Sequence, residues 1–178
     1  MYLYLMRHGI AVAADEPKVE SDETRALTSK GAKRIRRAAR GLRRLGVSLD
    51  AVLTSPLLRA RQTAEIVAAE LGLEAYLEEI PELAPQHSVD RLVSALARFH
   101  NKKALILVGH EPLLGFAFSF FMGGRDGVSF AVALKKGGVC CIEIDALPPR
   151  EPGTLQWFLT PKQLRRLGDK KPKKVSAS

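Results

Sequence analysis

Three short apolar runs, each ending in a turn and followed by a helix-length segment, constrain this chain more than anything else in it. Tyr2–Met6 stops at Arg7-His8-Gly9, Ala51–Thr54 stops at Ser55-Pro56, and Ala104–Val108 stops at Gly109-His110-Glu111-Pro112. Runs this short and this apolar suit strands buried on both faces, and strands joined by crossover helices pair parallel. The pattern predicts an α/β fold, a three-layer α/β/α sandwich around a mostly parallel central sheet. At 178 residues the chain is sized for one such domain, since domains run to roughly 100–200 residues. No internal repeat or linker divides it.

The helices have their own signals. Ile35, Ala38, Ala39, Leu42 and Leu45 recur at spacings of three and four, with Thr28 placed as an N-cap and Gly46 as a stop. Leu57–Leu71 reads as a helix with Pro56 at its first position and Ser55 as its cap. Val89, Leu92, Val93, Leu96 and Phe99 mark a third helix, and Leu113–Phe121 a fourth. Ser129–Leu134, Gly138–Asp145 and Thr154–Leu159 read as later strands that complete the sheet antiparallel at one side. Asp15–Glu23 and Pro148–Gly153 read as loops. Cys140 and Cys141, adjacent on a strand, point to opposite faces, so both pack and neither bridges the other.

Charge is unevenly placed. The net charge is +9, yet Lys30–Arg44 holds eight basic residues and no acid, and Lys162–Ser178 holds seven with one acid. The rest of the chain carries more acids than bases. The first basic segment is an amphipathic surface helix; its outer face is read first as solvated, and second as a docking surface for an acidic protein or polyanion. Residues 169–178, with Pro172 among four lysines, read as a basic flexible tail after a domain spanning 1–168. No aromatic residues alternate with those lysines, so no nucleic-acid partner is expected. No apolar run reaches the roughly 18 residues of a membrane span and no secretory leader is legible, so a cytoplasmic, membrane-free protein is expected.

Ligands of open α/β sheets gather beyond the carboxyl ends of the strands. The sequence sets Arg7, His8 and Gly9, then Ser55 and Arg59, then Gly109 and His110 at those ends. Two guanidinium groups and two imidazoles from segments over a hundred positions apart would then converge on one anion. Arg presents paired donors matched to phosphate oxygens. No Gly-rich nucleotide loop is present, so a small or protein-borne phosphate fits better. Neighbouring cations keep an imidazole neutral and hence nucleophilic, so one histidine is expected to attack phosphorus. No metal is called for, because arginines beside His8 and His110 repel a cation, and no cofactor is implied.

Leu5-Met6-Arg7-His8-Gly9, Thr54-Ser55-Pro56-Leu57-Leu58-Arg59-Ala60-Arg61-Gln62-Thr63-Ala64 and Val108-Gly109-His110-Glu111-Pro112, in this order, resemble the histidine phosphatase superfamily. That resemblance implies a phosphoglycerate mutase-like fold. Leu27-Thr28, Pro81-Glu82-Leu83-Ala84-Pro85 and Leu134-Lys135-Lys136-Gly137-Gly138 are similar to its SixA-type branch, the bacterial protein-phosphohistidine phosphatases, over residues 1–160. The resemblance implies His8 as phosphoacceptor, with Arg7, Arg59 and His110 as phosphate ligands. Gly9 would allow close backbone approach, and Ser55 would donate near the phosphate or serve only as a cap. Mutase-like relatives place a glutamate acid after the fourth strand, where this chain offers Glu82. Lys135 or Lys136 edges the site or forms a solvated turn.

The activity expected is hydrolysis of phosphohistidine on a signalling or phosphotransfer protein through a covalent phosphohistidine intermediate, with inorganic phosphate released. An alcohol leaving group gains about 100- to 10,000-fold from a positioned acid, whereas imidazole is a far less demanding leaving group, so the poorly marked acid favours phosphoramidate chemistry. The alternatives are a phosphatase of small phosphomonoesters and a phosphoprotein-binding module without turnover, the latter disfavoured by the intact His8. Self-association is not legible.

Overall fold

The computed structural model describes residues 1–17, 19–123 and 130–169. Eleven main elements follow the chain among them: β1 (Tyr2–Arg7), α1 (Ser29–Arg44), β2 (Ala51–Thr54), α2 (Leu58–Leu71), β3 (Leu77–Glu79), α3 (Val89–Leu96), β4 (Ala104–Gly109), α4 (Leu113–Gly123), β5 (Val139–Glu143), β6 (Thr154–Leu159) and α5 (Pro161–Asp169). One six-stranded sheet runs in the order β3-β2-β4-β1-β5-β6. The first four strands pair parallel, β5 pairs antiparallel to β1, and β6 pairs antiparallel to β5. The mostly parallel sheet with an antiparallel side is the architecture that the apolar runs predict.

Side chains alternate across the sheet with a period of two and so build two cores. Leu3, Leu5, Leu53, Leu105 and Leu107 face α3 and α4, packing on Leu92, Leu96, Phe118 and Phe121. Tyr4, Met6, Val52, Ile106 and Val108 face the other way, onto Ile35 and Leu42 of α1, Ala64 and Val67 of α2, and Leu164 of α5. Cys140 joins the first core and Cys141 the second, both as free thiols.

The helix signals are fulfilled unevenly. Thr28 caps α1 as expected, its hydroxyl accepting from the Gly31 N–H at 2.9 Å, and Gly46 follows the helix at φ +75°. The second helix differs: it starts at Leu58, with no side-chain cap on its N-cap residue Leu57. The Leu58 N–H instead donates to the Glu23 carbonyl at 3.0 Å, so the Glu23 backbone supplies what a capping side chain would have supplied. Ser55 is therefore not the N-cap residue of this helix.

Residues 130–134 of the expected Ser129–Leu134 strand form no ladder, and Ser129 lies outside the described residues. Side chains serve that backbone instead: Leu134 N–H donates to Glu111 Oε1 at 2.7 Å and Phe130 N–H to Ser119 Oγ at 2.9 Å. Asp169 is a second correction. It is the last residue of α5, not tail, and its carboxylate pairs with Arg37; residues 170–178 of the expected tail lie outside the described residues.

Candidate active site

Register brings the site together. Met6 and Arg7 of β1 stand beside Val108 and Gly109 of β4, and Thr54 of β2 stands beside Val108 on the other side. The residues that follow each strand therefore leave the sheet at one level along its edge. Two backbone bonds fasten the exits: His8 N–H donates to the Gly109 carbonyl and Ser55 N–H to the Val108 carbonyl, both at 3.0 Å.

The His8 and His110 rings lie 4.9 Å apart between centroids, tilted by 47°. Both are nearly buried, at 5% and 2% exposure. His8 Nδ1 is 2.7 Å from the Gly9 carbonyl, which can only accept, so Nδ1 carries the proton and donates. In the neutral ring Nε2 is then the bare nitrogen. Burial is the main force lowering the pKa of His8 to about 4, aided by Arg59, Arg7 and Lys136 and opposed by the Gly9 bond. Burial likewise takes His110 to about 3, with His8, Arg59 and Arg7 adding to it. The sequence pointed to cationic neighbours as the cause of neutrality; desolvation is the larger one, and the cations act in the same direction.

His110 Nε2 and Ser55 Oγ share a hydrogen bond of 2.9 Å. The same hydroxyl accepts from the Leu57 N–H at 3.3 Å, so Ser55 both stiffens the turn into α2 and fixes the second imidazole. Gly9 is pinned by its N–H donating to Thr63 Oγ1 at 3.0 Å, while that hydroxyl donates to the Arg59 carbonyl at 2.7 Å. Thr63 thus ties the backbone beside His8 to the helical turn that carries Arg59. Glycine is required at position 9 because a Cβ there would come within 2.7 Å of the Ile35 side chain.

Arg7 Nη1 donates to the Leu134 carbonyl at 2.9 Å. Arg7 Nε and His110 Nδ1 are buried without a hydrogen-bond partner among the described residues. Such orphaned atoms cost about 1–3 kcal/mol each. Arg59, only 5% exposed, is gripped by Asp22: Nη1 donates to its carbonyl at 2.6 Å and Nη2 to Oδ2 at 2.8 Å. Asp22 Oδ1 also pairs with Arg25 at 2.7 Å. Arg25 first, with Arg59 after it, holds the Asp22 carboxyl below its usual range, against the opposing effect of burial.

Arg7, His8, Ser55, Arg59 and His110 therefore meet at one place. Lys136 belongs to its electrostatic surroundings, because burial first and then Arg7, Arg25 and Arg59 lower its pKa. Glu82 is different. It is half-buried on the 81–83 turn, where the Leu83 carbonyl faces Gly109, and it makes no hydrogen bond or ion pair among the described residues. Sequence reasoning missed Asp22, Thr63 as a linker, and Glu111 as a holder of residue 134. Thr63 lay inside a recognisable motif; Asp22 lay in a polar loop with nothing local to mark it. No group of three or more His, Cys, Asp or Glu side chains is arranged to hold a metal ion among the described residues.

Residues 3–84 match the model of the histidine phosphatase superfamily, branch 1. The chain is 30% identical to the phosphohistidine phosphatase SixA of Escherichia coli strain K12, over 93% of this chain and 97% of that protein. The chain belongs to the histidine phosphatase superfamily. An uncharacterized protein of Picosynechococcus is 42% identical over 78% of this chain and 82% of its own length. Among solved structures, the protein histidine phosphatase SixA complexed with tungstate superposes with a TM-score of 0.79 at 29% identity, covering 92% of this chain and 99% of that one. Phosphatase chemistry therefore belongs to this superfamily member. Among the described residues no helix is long and apolar enough to cross a membrane.

Proposed function

We propose that this phosphatase removes the phosphoryl group from phosphohistidine on a signalling or phosphotransfer protein, with His8 as the transient acceptor. One observation carries the proposal: the Gly9 carbonyl holds the proton of His8 on Nδ1, which leaves the Nε2 lone pair available in a buried ring. That lone pair forms an N–P bond as the P–N bond of the substrate breaks, and the departing imidazole nitrogen takes up a proton. Phosphorylated at Nε2 and still protonated at Nδ1, the His8 ring is cationic, and the Gly9 carbonyl becomes a stronger partner for it. Water then attacks phosphorus and gives a proton to the Glu82 carboxylate, inorganic phosphate leaves, and the lone pair returns to Nε2.

Little covalent chemistry is asked of the rest of the site, so positioning and charge dominate. Arg7 and Arg59 bring two positive charges to the equatorial phosphoryl oxygens. Ser55 and His110, already bonded to each other, are the proposed neutral ligands, and Gly9 keeps the backbone close. Glu82 is the proposed proton donor to the leaving group. A P–N bond is exchanged for another P–N bond in the first step, so a donor less firmly placed than the phosphate ligands suffices for imidazole and serves an alkoxide badly. The relatedness to SixA over nearly all of both chains supports the same substrate class.

The experiment compares wild type with His8→Ala on free phosphohistidine, a phosphohistidine peptide and a sugar phosphate. The wild type is expected to form an acid-labile, base-stable phosphoenzyme and to favour the P–N substrates. His8→Ala is expected to lose the phosphoenzyme and at least 1,000-fold in kcat/KM. Equal turnover by the variant overturns the nucleophile; preference for the sugar phosphate overturns the substrate.

A further inference from the structure

Beside the phosphate-binding residues a second feature opens: a groove of about 700 Å³ that begins at Arg7 and Gly9 and runs between α1 and the start of α5. Its floor is apolar, made by the partly exposed Ile10 and Pro161 over the buried Ile35 and Ala38. Its rim is cationic, made by Arg34, Lys135, Lys136, Lys162 and Arg165, and among the described residues no acidic side chain lines it. The apolar sides of two basic helices force this crowding, since α1 and α5 meet through Ile35, Leu42 and Leu164 and leave their charges on the same outer surface. Arg165 registers the strain: burial first, then Arg34 and Arg37, lower its pKa, with Asp169 alone opposing.

Like charges gathered in excess of Asp169, a carboxylate that Arg37 already holds, attract an anion, and their position beside Arg7 selects one that arrives together with the phosphoryl group. An apolar floor adds a second demand. Inorganic phosphate chains gain nothing from the partly exposed Ile10 and Pro161, whereas a polypeptide with acidic and apolar side chains satisfies floor and rim together. Resting on the phosphohistidine reading, we propose that this groove docks an acidic, amphipathic segment next to the phosphohistidine of the protein substrate.

The test uses two synthetic phosphohistidine peptides that share apolar positions and differ in their flanks, one Glu-rich and one Lys-rich, with free phosphohistidine as a third substrate. The enzymes are the full chain and its Arg34→Glu/Lys162→Glu/Arg165→Glu variant. Wild type is expected to prefer the Glu-rich peptide by at least 10-fold in kcat/KM, a preference that shrinks as salt is raised. The triple variant is expected to lose the preference while turning over free phosphohistidine within about twofold of wild type, which also reports that it is folded. Lys162→Glu alone, at an exposed position, is expected to reduce the preference about threefold and serves if the triple variant does not fold.

Equal use of both peptides by wild type, or a preference retained in the variants, overturns the docking proposal. So does a titration in which inorganic polyphosphate fills the groove and an unphosphorylated Glu-rich peptide cannot displace it. Failure to dephosphorylate free phosphohistidine or either peptide is a different result, and it overturns the substrate reading on which the groove proposal rests.

Discussion

At the residue scale, the most informative atom belongs to no side chain: the Gly9 carbonyl oxygen, which decides where His8 keeps its proton. The sequence could show that His8 ends a strand and that cations surround it, but a tautomer depends on a contact 2.7 Å long between neighbours whose geometry only the turn sets. Asp22 makes the same point. Its carboxylate rests on Arg59, so an incoming phosphoryl group meets a guanidinium that already has an anion. Asp22→Asn keeps an oxygen for Arg59 and removes the charge. Competition with the phosphoryl group then weakens, and inorganic phosphate or tungstate is expected to inhibit the variant about two- to fivefold more tightly, in line with about 0.2–1 kcal/mol for an ion pair with one exposed partner. Inhibition constants measured at fixed pH and salt check this; weaker inhibition would show that the carboxylate mainly holds Arg59 in position.

Elements were legible where local chemistry and tertiary packing agree. Thr28 accepts from the Gly31 N–H three residues on, the local bond that makes it recognisable as a cap; Ser88, which the sequence reading did not single out, caps the third helix in the same way. Ser55 reads as the cap of α2 because a serine before a proline fits that place; its hydroxyl instead joins the Leu57 N–H of the turn to His110, which follows β4. The short strand β3 has only Leu77, Glu78 and Glu79 to announce it, and α5 begins directly after β6 in a segment dominated by charge. What fixes α5 is contact with α1. A Cβ on Gly41 would be driven into the Leu164 carbonyl, and one on Gly168 into the Arg37 carbonyl. Gly41→Ala is therefore expected to wedge the helices apart and cost about 1–3 kcal/mol, seen in urea unfolding as a lower midpoint at unchanged slope, although alanine is the better helix former.

For the whole molecule, the sheet order brings segments far apart in sequence to one edge; the short apolar runs make the parallel sheet and the strand ends legible, whereas which strands are neighbours is set by tertiary packing that no local run announces. The cost of the arrangement is two imidazoles buried among cations. In the folded protein they take up protons near pH 4 and 3, whereas in the unfolded chain they do so near 6.5. Between those limits the unfolded state holds more protons, so stability rises with pH and is lost as pH falls from 6.5 toward 4. Melting temperature measured across that window is expected to decline on acidification, and less so for His8→Asn, which has no ring to titrate at that position. A flat profile would mean that the rings are solvated and charged in the native state.

Glu111 ends this chain of dependence. It follows His110 directly, and its carboxylate holds the Leu134 N–H and the Gly115 N–H, while the Leu134 carbonyl holds Arg7. Ring and guanidinium are consequently harnessed to one surface strip, so that whatever tugs residues 130–134 outward would slacken both hands of the anion grip together.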